Sequence, residues 1–160
     1  MKNSFKILLF CFTSFMFIGC DRITKDLAKE HLKNEAPKSY FHDTFRLEYA
    51  ENTGAAMSFG ADLPQPYNFL VFSLLPLLFL GTLFGYAIRQ SRQMNLVKML
   101  SLSMVVSGGI GNIIDRIFFD RHVPDFLNLG FQSIRTGIFN VADICVSVGA
   151  IGLLLFFKDE

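Results

Sequence analysis

The chain has no tryptophan, and its three cysteines, Cys11, Cys20 and Cys145, are odd in number and far apart. That excludes a disulfide framework and the paired-cysteine spacing of a zinc site, so the thiols read as small apolar residues within apolar stretches. The three histidines, His31, His42 and His122, fall in polar connections, and no His/Cys cluster at ligand spacing suggests a metal or other cofactor. Charge is scarce as well. Asp, Glu, Lys and Arg are 18% of the 160 residues and cancel to a formal +1, which gives no basic surface for nucleic acid. Internal repeats and low-complexity tracts are absent.

What the chain does have is apolar sequence: 51% hydrophobic residues with 19 Phe, gathered into four blocks at about 5–20, 67–88, 99–114 and 138–157. Blocks approaching 20 apolar residues have the length of membrane spans. The expected fold is therefore an α-helical polytopic membrane protein: four transmembrane helices in a single domain over 1–160, with a small extracytoplasmic β element. Lys2 and Lys6 precede the first block, Arg89, Arg92 and Lys98 lie between the second and third, and Lys158 follows the fourth. The positive-inside rule then places both termini in the cytoplasm and turns the connections 21–66 and 115–137 outward. In the first of these, polar and apolar residues alternate from Phe41 to Tyr49, the period of a half-buried strand at the membrane surface. Asn52-Thr53-Gly54 follows as a turn, with a positive φ expected at Gly54. Met1 to Cys20 has the outline of a signal peptide, and Phe17-Ile18-Gly19-Cys20 looks like a lipoprotein cleavage box. Cleavage there would leave three further apolar blocks behind, so the segment is read as a retained first span.

The polar residues inside the apolar blocks carry the chemistry. In the third block Ser103, Ser107, Gly111 and Asp115 form one helical row, and Gly108, Asn112 and Arg116 form a second beside it. Small residues at this spacing let helices approach closely, and polar ones hydrogen-bond across the contact. In the fourth, Asn140, Asp143 and Ser147 share a face. Counted from Ile138, Asp143 lies roughly 7–8 Å into the helix at about 1.5 Å per residue, with Asn112 and Arg116 as its compensating partners. Asp125 stands in Val123-Pro124-Asp125-Phe126, 18 residues earlier. Ionisable groups at membrane depth are costly and are functional candidates by default. Two carboxylates brought together cannot both ionise; one keeps a proton while the other acts as base toward water, with no metal or cofactor required. The alternative is a small proton-coupled carrier or channel subunit. Against it, the strong polar groups gather at one end of the blocks, and the second block has almost none after Ser73 apart from Thr82.

These residues resemble the lipoprotein signal peptidase family, also called signal peptidase II. Asp21-Arg22-Ile23-Thr24-Lys25, Asn52-Thr53-Gly54-Ala55-Ala56, Gly111-Asn112-Ile113-Ile114-Asp115-Arg116, Val123-Pro124-Asp125-Phe126 and Phe139-Asn140-Val141-Ala142-Asp143 are similar to its motifs, in its order, across nearly the whole chain. Pro124, the Ile144-Cys145 pair and Cys20 depart from the family pattern without removing a candidate group. The resemblance implies a monomeric aspartic endopeptidase of the bacterial inner membrane. Its substrates would be diacylglyceryl-modified prolipoproteins, cut before the lipid-modified cysteine at the outer face and held among membrane lipid. Asp125 and Asp143 would be catalytic; Asn52, Gly54, Asn112, Arg116 and Asn140 would bind substrate or orient the pair; Asp21, Lys25 and Asp115 would support the site or meet the headgroup.

Overall fold

The computed structural model describes residues 3–55 and 58–156. Met1, Lys2, the loop residues Ala56 and Met57, and the last four residues, which include Phe157 of the fourth apolar stretch and the Lys158 that follows it, lie outside the described residues. Four helices and a four-stranded antiparallel sheet make up the described residues: α1 (Asn3–Leu32), α2 (Gln65–Gln90), α3 (Leu96–Phe118) and α4 (Val141–Leu155), with β1 (Lys38–Tyr40), β2 (Phe45–Asn52), β3 (Val123–Phe131) and β4 (Ile134–Arg135). Among the described residues α1, α2 and α3 are long and apolar enough to cross a membrane, while α4 is as apolar over 15 residues.

The first helix runs beyond its apolar block. The block ends at Cys20, where the lipid-compatible sequence stops, but no proline breaks the helix, and it continues to Leu32. At about 1.5 Å per residue its 30 residues reach about 45 Å, more than a bilayer core of about 30 Å. The extra turns bury Asp21, Lys25, Ala28 and Leu32. Asn34, with φ 71°, closes the helix in the left-handed region. A π-helical turn at Leu70–Leu74 interrupts α2 just before Pro76, whose missing N–H leaves one backbone acceptor without its helical partner. Asn95 caps α3 by accepting from Lys98 N at 2.8 Å.

Glycine brings α3 and α4 to backbone contact. A Cβ on Gly108 would stand 2.4 Å from Ala142 O, and one on Gly149 would stand 2.6 Å from Ser101 O. The first row of α3 is accordingly buried, with Ser103, Ser107 and Asp115 fully covered. Phe10, Ala87, Met99, Leu102 and Val106 fill the core between α1, α2 and α3. At one end of the bundle Lys6 Nζ donates to Met94 O at 2.6 Å, which joins the start of α1 to the basic α2–α3 turn. The sheet sits at the other end.

That sheet differs from the expected single strand over 41–49. Phe41, His42 and Asp43 have φ of 52°, 53° and 67°, and Thr44 N donates back to Phe41 O at 3.2 Å, so a turn separates β1 from β2. Alternation of side-chain polarity does not register this turn. It is held by Asp43, which accepts from Ser39 Oγ at 2.7 Å and from Arg46 Nη2 at 2.5 Å, and the Arg46 and Ser39 bonds, with the Arg46 and Arg135 charges, keep its carboxyl below the usual range. The expected positive φ at Gly54 is also absent; among the described residues of that loop the left-handed ones are Ser58 and Gly60. Gly54 is required for a different reason: a Cβ there would lie 2.4 Å from Phe59 O.

Strand order is β1-β2-β3-β4, with β2 paired to β3 through a bulge. Leu47 lies opposite Leu127 and Ala50 opposite Asp125, so β2 spends three residues where β3 spends two. The bulge turns Asn52 to the same face as Asp125 and Glu51 to the opposite face.

Candidate active site

Phe139 pairs with Leu127 of β3, its N–H donating to Leu127 O at 2.8 Å and its carbonyl accepting from Leu127 N at 2.8 Å. That bridge sets the start of α4 beside Asp125, two residues upstream on β3. Asn140 is then the N-cap of α4, not a residue within it as expected from the spacing. Asn is among the strongest N-cap residues, and its side chain here accepts from Asp143 N at 3.1 Å while Asp143 Oδ2 accepts from Asn140 N at 3.0 Å. Asp143 therefore lies in the first turn of the helix and not several ångströms deeper. The N-terminal end of a helix favours a carboxylate.

The capping bond fixes the orientation of the Asn140 amide. With Oδ1 committed to Asp143 N, its NH2 faces the other way and donates to Asp125 Oδ1 at 2.6 Å and to Asn112 Oδ1 at 3.2 Å. One residue thus holds both carboxylates. Asp125 Oδ2 accepts from Asn52 Nδ2 at 3.2 Å, and Asp143 Oδ1 accepts from Asn112 Nδ2 at 2.8 Å. Burial, reinforced by the neighbouring Asp143 charge, pushes the Asp125 carboxyl up to about 6, against the opposing bonds from Asn52 and Asn140.

Asn112 is anchored from below by Lys25, whose ammonium is fully buried. Its three donors meet three acceptors: Asn112 Oδ1 at 2.9 Å, Asp115 Oδ2 at 2.7 Å and Asp21 Oδ2 at 2.7 Å. Asp115 also accepts from Arg22 Nη1 at 2.6 Å, and Asp21 from Ala142 N at 2.9 Å. Two carboxylates and two cations balance here, the condition under which buried charge is tolerated. Gly111 makes the room, since a Cβ there would lie 2.6 Å from Asp21 Oδ2. Asp115 therefore pairs with α1 and leaves Arg116 free to turn away. Arg116 Nη2 donates to Gly54 O at 2.9 Å, so it holds the loop beside the carboxylates, and it compensates Asp143 by charge and not by a hydrogen bond.

Asn52, Asn112, Arg116, Asp125, Asn140 and Asp143 all line one cleft of about 900 Å³. Its other walls are apolar: Phe45, Leu127 and Leu129 from the sheet, Ile144 and Val148 from α4. Ser147 lines it too, on the face shared with Asp143. Pro124, the unexpected neighbour of Asp125, faces the opposite side of the sheet with Glu51, Tyr49 and Arg22 around a second cavity of about 310 Å³. His122 borders that second cavity and not the cleft. Glu51 pairs with Lys33 at 2.7 Å, which holds its carboxyl below the usual range.

Two residues were given no role by the sequence reasoning. Arg22 completes the buried ionic cluster, pairs with Asp26 at 2.6 Å and stacks over Phe119 at 4.8 Å. Its position four residues before Asp26 on one helix was the available signal. Asn68, 1% exposed within the second apolar block, donates to Thr53 O at 3.4 Å and Gly60 O at 3.3 Å and ties the loop to α2. A lone amide in an apolar run was the hint.

Comparison with known proteins bears on the family and the fold. A sequence profile of the family described as signal peptidase (SPase) II matches residues 13–158. A lipoprotein signal peptidase of Borrelia garinii subsp. bavariensis is 32% identical over 160 residues, covering 97% of this chain and 91% of the relative. One from Clostridium acetobutylicum is 37% identical over 143 residues, covering 88% of each. A bacterial membrane enzyme solved by the in meso method has the same fold, with a TM-score of 0.78 at 24% identity over 94% of this chain and 88% of that one.

Proposed function

The chain belongs to the signal peptidase II family of lipoprotein signal peptidases, membrane proteases that remove signal peptides from lipoproteins, and from that premise we propose that Asp125 and Asp143 are its catalytic pair. The observation that carries the proposal is Asn140, whose side chain donates to one carboxylate while its backbone N–H donates to the other. Two carboxylates lining one cleft and sharing a proton make an aspartic endopeptidase. The ionised member takes a proton from water, and the water oxygen attacks the scissile carbonyl. The protonated member hydrogen-bonds the carbonyl oxygen as it gains charge. Collapse of the tetrahedral intermediate breaks the C–N bond, and the proton taken from water passes to the departing amine. A carboxyl raised to about 6 takes up the shared proton far more readily than an ordinary aspartate.

Asn52, Asn112 and Asn140 orient the pair in this reading. Arg116 and Gly54 border the peptide, with Arg116 Nε buried and lacking a hydrogen-bond partner within the protein. Asp21, Lys25 and Asp115 hold Asn112 in place from the α1 side. The apolar cleft walls suit the acyl chains of a diacylglyceryl-modified cysteine, and the bond cut is the one before that residue. A single chain supplies every group. Lys6, Arg89 and Arg92 stand at the bundle end away from the sheet, so the termini face the cytoplasm and the cleft the outer side of the inner membrane. A carrier would need polar groups along the depth of the bundle, and the strong ones here collect at one end.

Asp125→Asn and Asp143→Asn test the proposal. Each is expected to accumulate lipidated precursor of a reporter prolipoprotein while the protein stays inserted and folded. Unchanged processing by both variants would overturn it.

A further inference from the structure

We infer that the Ser147 hydroxyl is a specificity contact of the cleft, donating to an ester carbonyl of the diacylglyceryl group on the substrate cysteine. The inference deepens the functional reading above and depends on it. Serine and threonine within a helix commonly return the hydroxyl to a carbonyl of the preceding turn. Thr13 does so to Leu9 O at 2.8 Å, Thr82 to Phe79 O at 2.7 Å, Ser103 to Leu100 O at 2.8 Å and Ser107 to Met104 O at 3.1 Å. Ser147, in the second turn of α4, makes no hydrogen bond among the described residues. Ser14, Ser73 and Ser101 make none either, but they are buried within the bundle, whereas Ser147 is exposed and opens on the cleft.

Its surroundings make that hydroxyl conspicuous. Ile144, Val146 and Val148 line the cleft on either side of it, so the group stands alone in an apolar wall. A hydroxyl left unpaired in an apolar phase costs free energy that a bound acceptor recovers. The other polar side chains of the cleft are already engaged. Asn52 and Asn140 donate to Asp125, Asn112 to Asp143 and Arg116 to Gly54 O, while Thr136 Oγ1 accepts from Leu129 N at 3.1 Å.

The position of the donor selects the acceptor. Ser147 is four residues past Asp143 on the same helical face, about 6 Å further along α4 at about 1.5 Å per residue. Because α4 runs inward from the sheet end of the bundle, the hydroxyl lies deeper than the carboxylates. From a peptide bond held at those carboxylates, the modified cysteine leads through Cβ, Sγ and the glyceryl carbons to ester carbonyls, and only then to the acyl chains. An ester carbonyl accepts and cannot donate, which matches a hydroxyl donor. Its charge is the same before and after cleavage, so the bond holds substrate and transition state alike and should appear in KM and not in kcat.

Two synthetic lipopeptides of one sequence make the test: one carries a diacylglyceryl cysteine, the other its dialkyl ether analogue, which keeps both chains but has no carbonyl. The full-length wild type, Ser147→Ala and Asp143→Asn are assayed on both in the same detergent micelles. Wild type is expected to cleave the ester with a KM roughly three- to tenfold below that for the ether, the worth of one neutral hydrogen bond. Ser147→Ala should raise the ester KM by the same factor and confine the loss to that substrate, and Asp143→Asn should cleave neither. Equal losses on ester and ether would overturn the proposal, because the hydroxyl would then support the helix and not the lipid. Unchanged KM values on both substrates would overturn it as well. Either result leaves the peptidase reading standing. Cleavage by Asp143→Asn at the wild-type rate, or no cleavage of either substrate by wild type, would instead defeat the reading of the site and the inference with it.

Discussion

Replacing Asp125 by Asn changes the pH dependence of stability by an amount that can be worked out from its surroundings. The carboxyl is 4% exposed and raised from 3.8 to about 6 by burial and by Asp143. Because the folded value exceeds the unfolded one, the native state is penalised as pH rises. The penalty is nearly absent at pH 4 and complete above the folded value. Roughly two pKa units at about 1.4 kcal/mol each give about 3 kcal/mol at pH 8 and about 0.5 kcal/mol at pH 4. The substitution removes that penalty but turns an NH2 toward either Asn52 or Asn140, both donors, at a cost of about 1 kcal/mol at every pH. The variant should be about 2 kcal/mol more stable than wild type at pH 8 and about 0.5 kcal/mol less stable at pH 4. At about 2–4 °C per kcal/mol for a chain of this size, the melting difference should swing by about 5–10 °C between the two conditions. Cys145 is buried and Cys11 and Cys20 are exposed, so Cys145 in a Cys11→Ser, Cys20→Ser background serves as the single thiol reporter of unfolding. A melting difference that stays flat from pH 4 to pH 8 would refute the reasoning.

Other substitutions separate the supporting parts. Asn140→Ser keeps a capping side chain but removes the NH2 shared between Asp125 and Asn112, so processing should fall sharply and stability by about 1–3 kcal/mol, the cost of two lost buried bonds; unchanged processing would contradict this. Lys25→Met leaves Asp21 and Asp115 buried with too little positive charge and should cost about 3–5 kcal/mol in the same thiol assay. Gly108→Ala drives a Cβ to 2.4 Å from Ala142 O, at the root of the Asp143 turn, and should cost about 1–3 kcal/mol along with activity. Gly19→Ala, with nothing within 4 Å, is the control and should be neutral or slightly stabilising.

The helical bundle was legible because a bilayer demands long apolar runs, and the four runs announce themselves. Asp125 and Asp143 were legible for the complementary reason: carboxylates stand out in such company. What lay hidden was pairing at a distance. Asn140 with Asp143 three residues on, ahead of an apolar run, has the outline of a helix start, but the same spacing also fits one face of a helix. The bridge from Phe139 to Leu127 decides between them, and it joins segments separated by the β3–β4 hairpin. The hydrogen bond of Arg116 to Gly54 was hidden for a similar reason, since the two are 62 residues apart, while its charge faces Asp143 as expected. The end of α1 was missed because the reading equated the limit of apolar sequence with the limit of the helix. Buried partners on α3 carry the charged turns onward.

The bulge between Leu47 and Ala50 makes the character of the cleft a matter of reading frame. Simple pairing carried on from Leu47 with the same residues and no bulge would place Glu51 opposite Val123, in the position Asn52 now holds. An amide that donates to Asp125 would be exchanged for a third acid, and Lys33 would lose its partner on the far face. A one-residue slip of register, with every catalytic candidate left in place, would thus act as a charge substitution in the cleft. The register of β2 is in this sense as much a determinant of the site's protonation as any residue lining it.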